Sequence, residues 1–380
     1  MCLSAGEWHI RGFRMILYIM DDNYNFIGAV DEYPSLIWTT RYYDKGDAEL
    51  QIKADLETIA MLRENYYLVR EDKMTEESYG EVAIITGKEI TTSQESGAIL
   101  KITAEMADAI LSRRIVWNQT TMTGNAEECI RKLIEENIIS PKEEQRKIEN
   151  FVLDEKGGYA EELKDFDIQS AGDTVLDVVK SICETTKLGF RVILTTKNQF
   201  IFQLYKGVDR SIGQSENVPV VFSNEYDNLN SSDYTYNQEE YKNAGLVFGE
   251  GEGTSQRIVA VGTESGIRRR EVKIDGSGVT SNGEIITKEK YLQMLKEYGE
   301  TQMQEYKIKE GMSGDVKNDA TYRLNEDYAM GDKVSVENEF KIGANTRVIE
   351  VIESWDEIGE KVTPTFETWE VEQNGTKRIF

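Results

Sequence analysis

The chain reads as an α+β protein, mainly β, and three observations carry that reading. In the run 331–366, Val334 and Val336 alternate with Lys333, Ser335 and Glu337. Ile349, Val351 and Trp355 then share one face of a second run, and Val362, Pro364 and Phe366 one face of a third. Alternation of period two, broken at Asn338, at Gly343-Ala344-Asn345 and at 356–359, predicts an antiparallel meander. The second observation is a crowd of short strand patterns over 15–117. The third is a change to helical spacing beyond residue 119.

The strands of the first segment follow from residue type and period. Ile16, Tyr18 and Met20 lead into a polar turn at 21–25, and the pattern returns over 26–30. Leu36, Trp38, Thr40 and Tyr42 alternate, as do Ala48, Leu50 and Ile52 after Gly46. A short helical piece is expected over 55–64, further strands over 66–70, 81–86 and 99–104, and a helical close over 106–114. Short strands at this spacing predict a small barrel or sandwich.

In the second segment Ala126, Cys129, Ile130, Leu133 and Ile134 keep helical spacing, with Thr123 or Asn125 placed to cap. A helix over 174–187 presents Leu176, Val179 and Cys183 on one stripe, with Asp173 as cap and Gly189 past its end. The runs 190–194 and 200–205 read as a hairpin, giving an α+β domain at 119–206. Beyond it come strands at 218–222, 233–236 and 244–248, then a pair at 257–262 and 268–274. A helix over 287–309 carries Tyr291, Leu295 and Tyr298 on one face, and the closing meander follows.

Composition bounds the function. At 380 residues the chain is long enough for two to four domains. Its 39% hydrophobic content suits globular cores, and no apolar run reaches the ~20 residues of a spanning helix. Four prolines and no low-complexity tract describe a chain folded nearly throughout. The net charge of −25 makes sequence-independent nucleic-acid binding a poor expectation, because that binding needs Lys and Arg against phosphate. Two readings of the charge stand at this point: solubility, or a surface that lets a polyanion pass without gripping it.

Cys2, Cys129 and Cys183 offer neither a pairing framework nor metal-ligand spacing, and the latter two fall on helical stripes as core thiols. A reducing compartment of synthesis fits. Residues 1–14 show neither alternation nor a helical stripe and lack a secretory core, so the natural start is expected at Met15.

Candidate chemistry is sparse. The single histidine, His9, lies within 1–14, which argues against imidazole-based nucleophilic systems and His zinc sites. Among 69 carboxylates no pair stands out for glycoside hydrolysis; Asp21, Asp22, Asp31 and Glu32 surround a hairpin. Asp21-x-Asn23-x-Asn25 with Glu32 imitates a calcium loop, but Phe26 occupies the position that needs glycine. Gly249-Glu250-Gly251-Glu252-Gly253 has two glutamates where a phosphate cradle needs bases, so it reads as an inter-strand connection. Arg268-Arg269-Arg270 is the one local basic cluster and reads as a solvated strand end or a contact for an acidic neighbour. No catalytic, cofactor or metal residue is expected.

Four stretches in order resemble the siphophage tail-hub family, the structural part of tail-associated lysins and a relative of contractile-tail baseplate hubs. The first is 16–55, a hairpin, an aromatic strand and the Gly46-Asp47-Ala48-Glu49-Leu50 strand. The second is 86–116, ending in the Leu111 to Ile115 signature. The third is 173–192 with its hairpin, and the fourth joins 223–253 to the closing meander. The resemblance implies a homotrimeric tail-tip hub in which two barrel-like tube domains per chain give pseudo-sixfold symmetry. It implies tube domains at 15–118 and at 207–262 with 312–368, the α+β domain between them, an insertion with a helix at 263–311 and a tail at 369–380. Expected partners are a distal tail ring or tube above, fibre or lysin proteins below, and DNA passing without specific contact. Assembly in the host bacterial cytoplasm into the virion is implied. The alternatives are a cell-wall carbohydrate-degrading enzyme using two carboxylates, or a carbohydrate-binding tail protein.

Overall fold

A computed structural model describes residues 15–93, 97–118, 120–159, 166–170, 172–280, 287–316 and 322–367. The expectations for 1–14, with His9 and Cys2, and for 369–380 lie outside these residues. The chain divides into two compact units: 1–232 with 313–367, and 233–312 with 368–380.

The first unit is built on one long strand path. From Glu360–Phe366 it runs through Gly343–Asp356, Ser35–Arg41, Asp47–Lys53, Gly97–Met106, Ala83–Ser93, Tyr67–Arg70 and Leu17–Met20 to Phe26–Val30, each pair antiparallel. The expected class, α+β and mainly β, is the one observed. The path is open: no pairing among the described residues joins its ends into a closed barrel. Leu36, Trp38, Leu50, Ile52, Leu100, Ile102 and Ala104 fill one face as a single core, as their alternation predicts. The helical piece of this segment is α1 (Leu56–Met61), capped by Asp55, whose side chain accepts from the backbone of Glu57 and Thr58. The helical close is a 3-10 turn, Ala107–Arg113.

The meander departs from its pattern in one way. Within Lys333–Glu337, which pairs with Val221–Ser223 on one edge and Gly343–Asp356 on the other, residues 334–337 are buried on both faces, and the segment at Ile212 lies over the Ser335 side chain. The alternation of valines with Ser335 and Glu337 had placed those polar groups outward. Instead Ser335, fully buried, donates its hydroxyl to Asn345 Oδ1 at 2.6 Å and accepts from the Ile212 amide at 2.8 Å. Glu337 is met by Lys341 Nζ at 2.9 Å. A buried polar group is tolerated when it is paired in this way.

The α+β region carries α2 (Ala126–Ile134) and α3 (Val175–Thr186). Asn125 caps α2, as expected; Thr174 rather than Asp173 caps α3, its hydroxyl accepting from the Asp177 amide at 3.1 Å. Thr174 is one residue closer to the first turn, which is the reach an N-cap side chain needs. Asp173 instead accepts from the Ser170 hydroxyl. The hairpin Gly189–Thr195 with Phe200–Tyr205 takes a parallel strand, Phe151–Leu153, on one side and borrows Ser78–Gly80 on the other. Cys129 and Cys183, joined in no disulfide, are buried among Ile130, Leu133, Val179 and Ile182.

In the second unit Ala244–Phe248 is the middle strand, antiparallel to Ile258–Val261 and parallel to Glu271–Asp275. The two outer strands, read from sequence as a pair, are separated by it. Helix α4 (Lys288–Gln302) covers one face, with Tyr291 and Leu295 against Val247, Val261 and Ile274. Gly299 allows that approach, since a Cβ there would lie 2.3 Å from Val247 Cγ2.

Candidate assembly site

The strand Ser35–Arg41 has Asp47–Lys53 on one side and 350–356 of the closing meander on the other. Backbone hydrogen bonding thus continues without a break from the N-terminal strands into the C-terminal ones. A register shift between Val348 and Glu350 lets the long strand Gly343–Asp356 change partner, from Lys333–Glu337 in its first part to Ser35–Arg41 in its second.

A buried cation fastens the junction. Arg70, at the end of Tyr67–Arg70 and 1% exposed, donates Nη1 to Glu353 Oε2 at 2.8 Å and Nη2 to Glu353 Oε1 at 2.9 Å. Its Nε and Nη2 donate to the two oxygens of Asp72 at 2.9 and 2.7 Å. The guanidinium lies 5.5 Å from the Trp38 ring centre and 4.6 Å from that of Trp355. Burial acts to lower the Arg70 pKa, and the bonds and charges of Glu353 and Asp72 more than offset it, so the pKa is raised. Burial pushes Asp72 up, but Arg70 prevails and holds that carboxyl below its ordinary value.

Tyr42 fixes the α+β region to the same place. Its hydroxyl donates to Lys187 O at 3.1 Å and accepts from the Gly207 amide at 3.2 Å. The ring is flanked by Gly189 and Gly331, where added Cβ atoms would each lie 2.2 Å from Cε2. Nearby Asp108, 3% exposed, has an Oδ1 with no hydrogen-bond partner. Burial and then the charge of Glu81 push its pKa well above the ordinary range.

The sheet face opposite the Trp38 core is half-exposed and charged. Arg41 Nε binds Glu350 at 2.7 Å and its Nη1 binds Asp47; Lys101 binds Glu49 at 2.7 Å; Lys45 binds Glu105. Each of these bases is therefore neutralised by a carboxylate on a neighbouring strand. The path ends at Phe26–Val30, which pairs only with Leu17–Met20 among the described residues and leaves Phe26 45% and Ile27 42% exposed. Such an edge presents unpaired backbone groups.

The motifs weighed in the sequence lie elsewhere. Asp21 Oδ1 accepts from the amides of Asn23 and Asn25 at 2.9 and 2.8 Å, closing the turn between Leu17–Met20 and Phe26–Val30. Those bonds, with the Asn25 amide foremost, hold its pKa low. The glycine-rich loop joins Ala244–Phe248 to Ile258–Val261, with the Glu250 amide held by Tyr291 Oη at 2.8 Å. Arg269 pairs with Glu271 at 2.6 Å and Arg270 lies over Tyr241 at 5.6 Å, at the start of Glu271–Asp275. Among the described residues no three His, Cys, Asp or Glu side chains are grouped to hold a metal ion. Arg70 and Glu353 are not singled out by the sequence, which places only the two tryptophans of this cluster, Trp38 and Trp355, each on its own strand pattern.

An open, mainly β sheet shared by both ends of the chain is a fold of phage tail proteins. The chain belongs to the Siphovirus ReqiPepy6 Gp37-like protein family, whose pattern matches residues 16–366. It shares its fold with the tail protein from Neisseria meningitidis MC58, at 13% identity and a TM-score of 0.56, covering 94% of this chain and 97% of that one. It is similarly related to the 43 kDa tail protein of prophage MuSo2 from Shewanella oneidensis, at 9% identity and a TM-score of 0.55, covering 93% and 98%. No curated protein matches the chain. The family-level expectation from the sequence is thereby met.

Proposed function

We propose that the protein is a structural hub at the tip of a phage or prophage tail, a homotrimer that closes the tail tube and forms part of the DNA channel. The observation that carries this reading is the pairing of Ser35–Arg41 with 350–356. One chain would supply two strand modules, 15–118 and the discontinuous 207–262 with 312–368, and the strands Ser35–Arg41 and 350–356 of the two are paired edge to edge. Three such chains would complete a ring of six modules by repeating edge pairing between chains. That geometry would let a trimer meet a sixfold tube or distal tail ring above, with fibre or lysin proteins below.

The charged sheet face suits a channel wall. Phosphate is gripped by bases free to release its counterions. Arg41, Lys45 and Lys101 are each held by a carboxylate, so a duplex sliding past meets little attraction. The reading requires no catalysis, and places the protein in the virion.

Size-exclusion chromatography with light scattering tests it. A mass of three chains, with ring-shaped particles in negative stain, is expected. A species that stays monomeric at high concentration and gives clearing on peptidoglycan zymograms would favour a wall-degrading enzyme instead.

A further inference from the structure

A cavity of about 500 Å³ opens in the first unit, walled by Trp38, Glu81, Arg191, Tyr205, Ala329 and Glu353. Its volume is that of a small-molecule site. The other carboxylates around it are paired, and its bases each have at least one contact. Arg191 donates to Gln203 Oε1 at 2.8 Å and lies 5.3 Å from the Tyr205 ring centre. Lys73 stands 3.6 Å from Asp72, Asp332 is bound by Arg210 at 2.9 Å, and Glu353 by Arg70. Lys206 is engaged as well.

Glu81 differs from these. No hydrogen bond or ion pair reaches its carboxyl among the described residues, although it is half-buried in the wall. Burial raises its pKa, and Glu353 adds to that, while Arg191, Lys73 and Arg70 pull the other way. A half-buried carboxyl without a donor from the chain can accept from an incoming N–H group. The other carboxylates of the wall hold cations of the chain, Glu353 and Asp72 with Arg70 and Asp332 with Arg210, so among the described residues Glu81 is the carboxylate left without a donor. A metal ion is a poor match, because no trio of ligating side chains is assembled among the described residues.

We propose that this cavity binds a small organic cation, a protonated primary amine or guanidine, with Glu81 as its anionic partner. The site does not depend on the assembly reading. Calorimetric titration of the full chain with n-butylammonium and, separately, n-butanol tests it. Saturable one-to-one binding of the ammonium and none of the alcohol is expected, with Glu81→Gln weakening it by at least about tenfold. Ala329→Phe, which fills part of the cavity and leaves Glu81 in place, should weaken it too, so the test survives if Glu81→Gln fails to fold. Absence of saturation, equal binding of the alcohol, or unchanged binding to either folded variant would overturn the proposal.

Discussion

Arg70 and Glu353, 283 positions apart, meet as a buried two-pronged ion pair between the N-terminal and C-terminal strands. Removing one partner leaves the other charge uncompensated, which costs far more than the pair contributes. Arg70→Met is therefore expected to lower the unfolding free energy by about 3–5 kcal/mol. Arg70→Met with Glu353→Leu should recover most of that loss. Urea unfolding of the two variants checks this, and equal losses would contradict it.

Tyr42 and Gly331 give a second, steric prediction. Gly331 has φ of +88°, and any side chain there enters the Tyr42 ring. Gly331→Ala is expected to cost about 2 kcal/mol or more, by strain and overpacking together. Tyr42→Phe loses only the hydroxyl bonds and should cost about 1 kcal/mol. Thermal melts of both distinguish a tight junction from a loose one.

Asp108 makes stability depend on pH. Its pKa in the folded chain is raised, by burial first, then by Glu81 and Asp44, against the Gly46 and Ala109 amides. Its stabilising contribution is thus complete below the ordinary carboxylate range and lost as pH rises through the folded value. Asp108→Asn should match the parent near pH 4 and exceed it by about 1–3 kcal/mol at pH 8. Unfolding curves at the two pH values decide it; a variant less stable at pH 8 would contradict the direction.

The sequence reading reached what depends on near neighbours. Alternation gave Leu36, Trp38 and Leu50 their inward face, and short polar residues before apolar stripes marked the starts of α2 and α3. It missed what depends on distant partners. Nothing in the local pattern couples Arg70 to Glu353, or gathers Gly189, Gly207 and Gly331 around Tyr42. The burial of Ser335 escaped because the segment that covers its side chain, at Ile212, is more than a hundred residues away and leaves no trace in its own strand. The pairing of Ala244–Phe248 between Ile258–Val261 and Glu271–Asp275 escaped for the same reason: sequence order gives strand type more readily than strand neighbour.

The edge strand Phe26–Val30 offers a direct handle on assembly. Ile27, 42% exposed, contributes little to the chain's own core. Ile27→Lys places a charge on that edge, a device that blocks strand addition. If chains associate through this edge as proposed, the variant keeps its melting temperature within a few degrees and loses about tenfold or more in self-association affinity. Sedimentation equilibrium measures both species, and unaltered association would remove this edge from the interface.

Cryo-electron microscopy of the assembled tail tip tests the central claim most directly. The expected density is a ring of three chains, each giving two strand modules joined through Ser35–Arg41 and 350–356, so that six modules surround the axis. A ring of six chains, or a chain lying outside the tube wall, would contradict it.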